Sequence, residues 1–146
     1  MKNILLVAFV LGTFLSFSQS IVGKWKTIDD ETGKAKSIVE ITIKKDGKLY
    51  GKIVKLFREA GEEQDPKCTE CTDYRKDKKI IGMTIITGLK KDGDEWEEDD
   101  AILDPENGSI YDCKIWLDED NKDILNVRGY IGFFFRTQTW HRVIKK

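Results

Sequence analysis

Three cysteines, one histidine and two arginine-bearing segments near the C-terminus are the residues of this 146-residue chain whose types and spacing invite chemistry. Cys68-Thr69-Glu70-Cys71 has the CxxC spacing of redox dithiols and of half a zinc site. A redox reading needs a helix N-terminus after a βαβ strand to lower a thiol pKa, and the flanking sequence carries no such pattern. A zinc reading needs a fourth ligand beside Cys68, Cys71 and Cys113; His141 is the sole histidine, and it reads as a strand residue facing opposite to Trp140. In an exported chain the pair reads as a disulfide that staples a loop. Two arrangements stay open: Cys68–Cys71 with Cys113 reduced in the wall of the fold, or Cys113 joined to the loop.

The second constellation is polar and aromatic. By strand periodicity Arg128 and Tyr130 share one face, and Arg136, Gln138 and Trp140 share another. Were these faces turned inward, each guanidinium would need a partner, because a buried charge is costly alone. A carboxylate or phosphate would supply one with bidentate geometry. With Trp25 as wall or floor, these residues form the candidate site for a small hydrophobic or anionic molecule. The competing expectation has the arginines facing solvent, or closing the fold by pairing with Asp112 or Glu40.

No catalytic residue emerges. One histidine does not make a Ser-His-Asp triad or a His-rich metal site, and abundant carboxylates do not define a catalytic pair. The expectation is a chain without metal, cofactor or enzymatic activity. Its 25 basic and 26 acidic residues leave a net charge of -1 with the signs interspersed, which is no electrostatic footprint for nucleic acid. The acidic run at 94–100, broken by Trp96, lacks calcium-loop spacing and reads as a solvated hairpin end. Lys44-Lys45 and Lys78-Lys79 read as solvated strand ends.

Residues 1–20 have the parts of a cleavable signal peptide: early Lys2, an apolar stretch at 4–17, then Ser18-Gln19-Ser20. The apolar stretch is shorter than the roughly 20 residues of a membrane span. Cleavage is expected before Gln19 or before Ile21, leaving residues 21–146 as one domain. No cysteine follows the stretch, which argues against a lipoprotein, and no second apolar run predicts a membrane span. The expected compartment is the periplasm or the exterior.

The elements that must position these groups are strands. Period-two alternation recurs between turn signals: Val39, Ile41 and Ile43, then Asp46-Gly47, then a strand at 48–57. Further strands are expected at 22–28, 80–89, 95 onward, 111–117, 124–131 and 134–143. Asp104-Pro105-Glu106-Asn107-Gly108 is a turn. The connection at 58–78 has room for a helical turn. Eight sequential antiparallel strands hide their edges best as an up-and-down barrel, with a sandwich second. Such a barrel is either filled by side chains or holds one small ligand.

Gly23-Lys24-Trp25 on the first strand and Arg142 on the last resemble the lipocalin and calycin arrangement, in which an arginine stacks on the indole and closes the barrel floor. A broader resemblance rests on Val22-Gly23-Lys24-Trp25, Leu49-Tyr50-Gly51-Lys52-Ile53, Ile81-Gly82-Met83, residues 104–108, Val127-Arg128-Gly129-Tyr130-Ile131-Gly132 and Arg136-Thr137-Gln138-Thr139-Trp140. In this order they resemble the exported bacterial family known as domain of unknown function 2147. The resemblance implies a lipocalin-like barrel and export in Gram-negative bacteria, with no established activity or cofactor. Asp100 and Phe135 depart from glycines common in that family, near the barrel mouth. Arg-x-Tyr at 128–130 is also similar to the carboxylate clamp of intracellular fatty-acid carriers. The leading expectation is thus a periplasmic protein that binds a small amphipathic or anionic molecule in or at the mouth of its barrel. A cell-envelope interaction module with a filled barrel comes second, and a thiol or metal protein using Cys68 and Cys71 third.

Overall fold

The computed structural model describes residues 19–145, so the expected leader lies outside the described residues except for Gln19 and Ser20. Eight strands follow: β1 (Gly23–Ile28), β2 (Ala35–Ile43), β3 (Leu49–Leu56), β4 (Thr84–Asp92), β5 (Glu95–Leu103), β6 (Ile110–Leu117), β7 (Ile124–Ile131) and β8 (Phe134–Arg142). Each pairs antiparallel with the next, and β8 returns to β1 through Trp25–Arg142 and Lys26–His141, closing the barrel. Closure leaves no strand edge exposed, which is the physical reason for preferring it to a sandwich. Among the described residues no helix is long and apolar enough to cross a membrane.

Alternation builds the core. Trp25, Val39, Ile41, Leu49, Ile115 and Leu125 are fully buried, while their chain neighbours reach the outer face. At Gly51 the wall is so close that an added Cβ would stand 3.1 Å from Ile86 and 3.2 Å from Val39. The interior at this level is filled by side chains.

The connection between β3 and β4 forms turns and an isolated Lys67–Lys79 bridge, with no helical turn. Arg75 organises it: the buried guanidinium holds Asp73 through Nε and Nη2 (2.7 Å) and donates Nη1 to the Thr84 carbonyl at 2.9 Å. That guanidinium holds the Asp73 carboxyl below the usual range. The strand expected at 80–89 begins only at Thr84, because residues 80–83 form a turn closed by Met83 N–H to the Ile80 carbonyl. Ile80 and Met83 are nevertheless buried, so their apolarity serves to dock a loop on the core.

The loop also meets the β5–β6 turn. Gly108 has φ 74°, and an added Cβ would land on the Glu70 carbonyl. Positive φ and loss of space both demand glycine there. Lys79 pairs with Asp65 within this loop, and so is not a strand end. The acidic run is likewise a strand: Glu95 and Glu97 pair with Lys114, and Glu98 pairs with Lys90.

Candidate functional site

The β7–β8 hairpin decides where the arginines point. Its turn is Gly132-Phe133, with a positive-φ glycine (56°) at the first turn position, the pattern of a two-residue II′ turn. That turn pairs Ile131 with Phe134, and therefore Gly129 with Arg136 and Arg128 with Thr137. Directly paired residues share a face. Leu125, Val127, Gln138 and Trp140 define the inner face, so Arg136 belongs to it while Arg128 and Tyr130 lie outside.

The expected joint site is therefore divided by the barrel wall. Arg128 donates Nε to Thr137 Oγ1 at 2.7 Å and lies between two rings, 4.4 Å from the Phe135 centre and 5.0 Å from that of Trp116. Tyr130 packs beside Phe135, with ring centres 5.9 Å apart. These contacts replace the pairing expected with Asp112 or Glu40.

Arg136 stands at the mouth, the barrel end formed by the β1–β2, β3–β4, β5–β6 and β7–β8 connections. Its Nη2 donates to Asp30 of the β1–β2 turn, and this contact raises the guanidinium pKa further. Its side chain is 66% exposed, so it forms part of an open rim. Opposite it, Gly129 leaves the wall bare: only Tyr111 approaches an added Cβ, at 3.7 Å. Below lies Gln138, whose Oε1 accepts Trp140 Nε1–H at 3.1 Å, orienting the amide and leaving its nitrogen as a donor. Thr27 and Ser37, paired across β1 and β2, add a buried hydroxyl couple with oxygens 2.7 Å apart. The mouth thus carries an exposed arginine on its rim, above a packed interior.

Asp30, Thr27 and Ser37 were not among the residues singled out by sequence, and Tyr111 was placed only on one strand face with Cys113, Ile115 and Leu117. Asp30 lies in a turn and carries no periodicity. Thr27 and Ser37, by contrast, fall on inward positions of their strands, a signal open to a reader who places the faces first.

Trp25 and Trp140 are buried in the core. Trp25 forms the floor: its Nε1–H donates to the Ile21 carbonyl at 2.9 Å and Arg142 covers its ring. Trp140 is paired with Leu125 in the wall. Neither is exposed at the mouth.

Cys68 and Cys71 form a disulfide, and Cys113 is a buried free thiol. Burial pushes the Cys113 thiol up to about 12, so it carries almost no thiolate at neutral pH. No group of His, Cys, Asp or Glu among the described residues is arranged to hold a metal ion.

The depressions of the outer surface among the described residues include the following two. One, of about 660 Å³, is lined by charged side chains of β4 to β6 together with Tyr130. The other, of about 300 Å³, is lined by Tyr74, Arg75, Lys78, Lys79, Met83 and their neighbours.

The fold is similar to a solved structure described as protein HP1028 from the human pathogen Helicobacter pylori, which belongs to the lipocalin family. The TM-score is 0.67 at 16% identity, covering 86% of this chain and 84% of that one, a likeness of fold alone. No curated protein matches the chain. A family model does match, over residues 23–142, the whole of the barrel from the first strand to Arg142. The chain belongs to that family, described as uncharacterized protein conserved in bacteria, domain of unknown function 2147.

Proposed function

We propose that the mature domain is an exported, non-catalytic binding protein that takes a small amphipathic anion at the mouth of its barrel. The observation that carries this reading is the position of Arg136. It is on the inward face, opposite a bare glycine wall, and spends one donor group on Asp30 while the rest of its fork stays open to solvent. A carboxylate or phosphate would meet that fork and the Gln138 amide nitrogen. The apolar part of the ligand would rest on Tyr111, Ile131 and Phe134 at the rim. The packed lower barrel limits entry to the mouth, so the ligand is shallowly held, unlike one enclosed in a deep calyx. The lipocalin-like fold supports the reading as a scaffold whose open end binds ligands.

Native mass spectrometry of protein purified from the periplasm of an expressing bacterium tests it. The reading expects a leader-free chain that retains an organic anion, and an Arg136→Gln variant that does not. A bare polypeptide in both samples contradicts it.

A second reading, an interaction module of the cell envelope, draws on the outer face. Trp116, Arg128, Phe135 and Tyr130 form a continuous aromatic and cationic stack that the ligand reading leaves unused. The thiol reading has less to stand on, since two cysteines are joined and the third is buried and protonated.

A further inference from the structure

The β7–β8 hairpin ends in Ile131-Gly132-Phe133-Phe134-Phe135, and every apolar side chain in it is exposed: Ile131 62%, Phe133 102%, Phe134 82% and Phe135 59%. No other turn of the described barrel carries consecutive exposed aromatics. Turns ordinarily hold polar or small residues, and contiguous exposed apolar patches of this kind mark interaction sites. The II′ turn pushes Phe133 to the apex, so the patch is a convex tip and not a groove.

We propose that this tip docks the protein on a zwitterionic phospholipid surface, inserting Phe133 and Phe134 at the headgroup level. Three observations choose that occupant. The tip is small and convex. A protein partner of standard size would need about 800 Å² from each side, whereas an interfacial apolar tip needs no complementary socket. Aromatic rings also favour the membrane–water boundary. Second, the larger depression of the outer surface is lined mainly by charged side chains, and the smaller sets Tyr74, Ile81 and Met83 beside Arg75, Lys78 and Lys79. Charged side chains border both, so neither offers the rings of a second copy an uncharged receptor.

Third, the charges behind the tip are of both signs. Arg128 stacks on Phe135 and Arg136 follows it along β8, while Asp112 pairs in register with Tyr130 and accepts the Asp100 N–H at 2.9 Å. Arg128 and Asp112 stand on the outer face of the barrel behind the tip and Arg136 on the inner face, so both signs needed by the phosphate and ammonium of a zwitterionic headgroup are present. A uniformly anionic surface would be opposed by Asp99, Asp100 and Asp112. The docking is peripheral; it shares Ile131, Phe134 and Arg136 with the rim proposed for the ligand and leaves Gln138 and Thr27 unused.

The test is flotation of the leader-free protein with vesicles of phosphatidylethanolamine and phosphatidylcholine. It is run beside a Phe133→Ser/Phe134→Ser variant and an Ile144→Ser variant. Ile144 is 67% exposed and follows β8 at the floor end, so it controls for loss of any exposed apolar side chain. Circular dichroism melts check that all three fold, and sedimentation velocity reads their oligomeric state. The proposal expects wild type and Ile144→Ser to float with the vesicles and the double variant to lose at least tenfold in partitioning, with all three monomeric. It is overturned if wild type stays in solution, or if the double variant floats equally. Binding that requires phosphatidylglycerol and vanishes in salt also overturns it, since that would be charge attraction alone. So does a wild-type dimer that the double variant disrupts, which would make the occupant a second copy.

Discussion

The Arg142 guanidinium lies 4.3 Å from the centre of the Trp25 ring, at the point where the last strand meets the first. Its Nε donates to Asp123 Oδ1 at 3.0 Å, and its Nη2 is shared by the Ser20 and Lys122 carbonyls, each at 2.9 Å. One side chain therefore ties together the chain entry, the β6–β7 turn and the indole that floors the core. The β1–β8 seam has only two directly paired positions, so this knot carries much of the closure.

Arg142→Ala removes the stacking and leaves three acceptors without their donor. The expected loss is roughly 2–3 kcal/mol, combining a cation–π contact with charge-assisted hydrogen bonds, discounted because Asp123 is partly exposed. Arg142→Lys keeps the charge without the planar fork and should lose about half as much. Urea unfolding followed by tryptophan fluorescence measures both. Equal stability of Arg142→Ala and wild type would mean that the floor closes without this residue.

Gly108→Ala probes the mating of the long loop with the β5–β6 turn. The new methyl would collide with the Glu70 carbonyl, and the backbone there is left-handed, at φ 74°. Strain at such a position and the forced loop displacement together predict a loss of about 2 kcal/mol or more. The thermal midpoint should fall by several degrees, with faster proteolysis within residues 57–83. A variant as stable as wild type would show that the loop gives way freely.

Cys113 predicts a signature at alkaline pH. Its thiol is raised from an ordinary 9.0 to about 12 by burial. Between those values the unfolded chain ionises and the folded chain does not, so the folded state binds more protons and stability falls as pH rises. Wild-type stability should decline from about pH 9 upward more steeply than that of Cys113→Ala. In native protein at pH 7 a maleimide reagent should leave Cys113 unmodified, and it should label it promptly in denaturant. Rapid labelling of the native protein would contradict its burial.

The barrel and its floor were legible because they rest on local rules. Alternation marked the strands, Asp46-Gly47 and residues 104–108 marked turns, and the resemblance pointed to Trp25 meeting Arg142. The CxxC pair resolved as the loop disulfide, the first of the two arrangements left open. The mouth was less legible, because facing depends on register. Periodicity placed Arg128 with Tyr130 and Arg136 with Gln138, yet was silent on whether the two sets share a side. The two-residue turn at Gly132-Phe133 sets even-numbered residues of β7 against odd-numbered residues of β8, which puts the two arginines on opposite faces. The start of β4 was displaced for a different reason. Ile80 and Met83 are as apolar as strand residues, and burial of a loop on the core uses the same side chains as a strand does.

Isothermal titration of dodecanoate, a carboxylate on an apolar chain, into the leader-free protein tests the mouth most directly. Wild type should bind at one site, Arg136→Gln should weaken that binding about tenfold or more, and Arg128→Gln, on the outer face, should leave it unchanged. Absence of binding by wild type, or equal affinity in wild type and Arg136→Gln, would contradict a carboxylate site at the mouth.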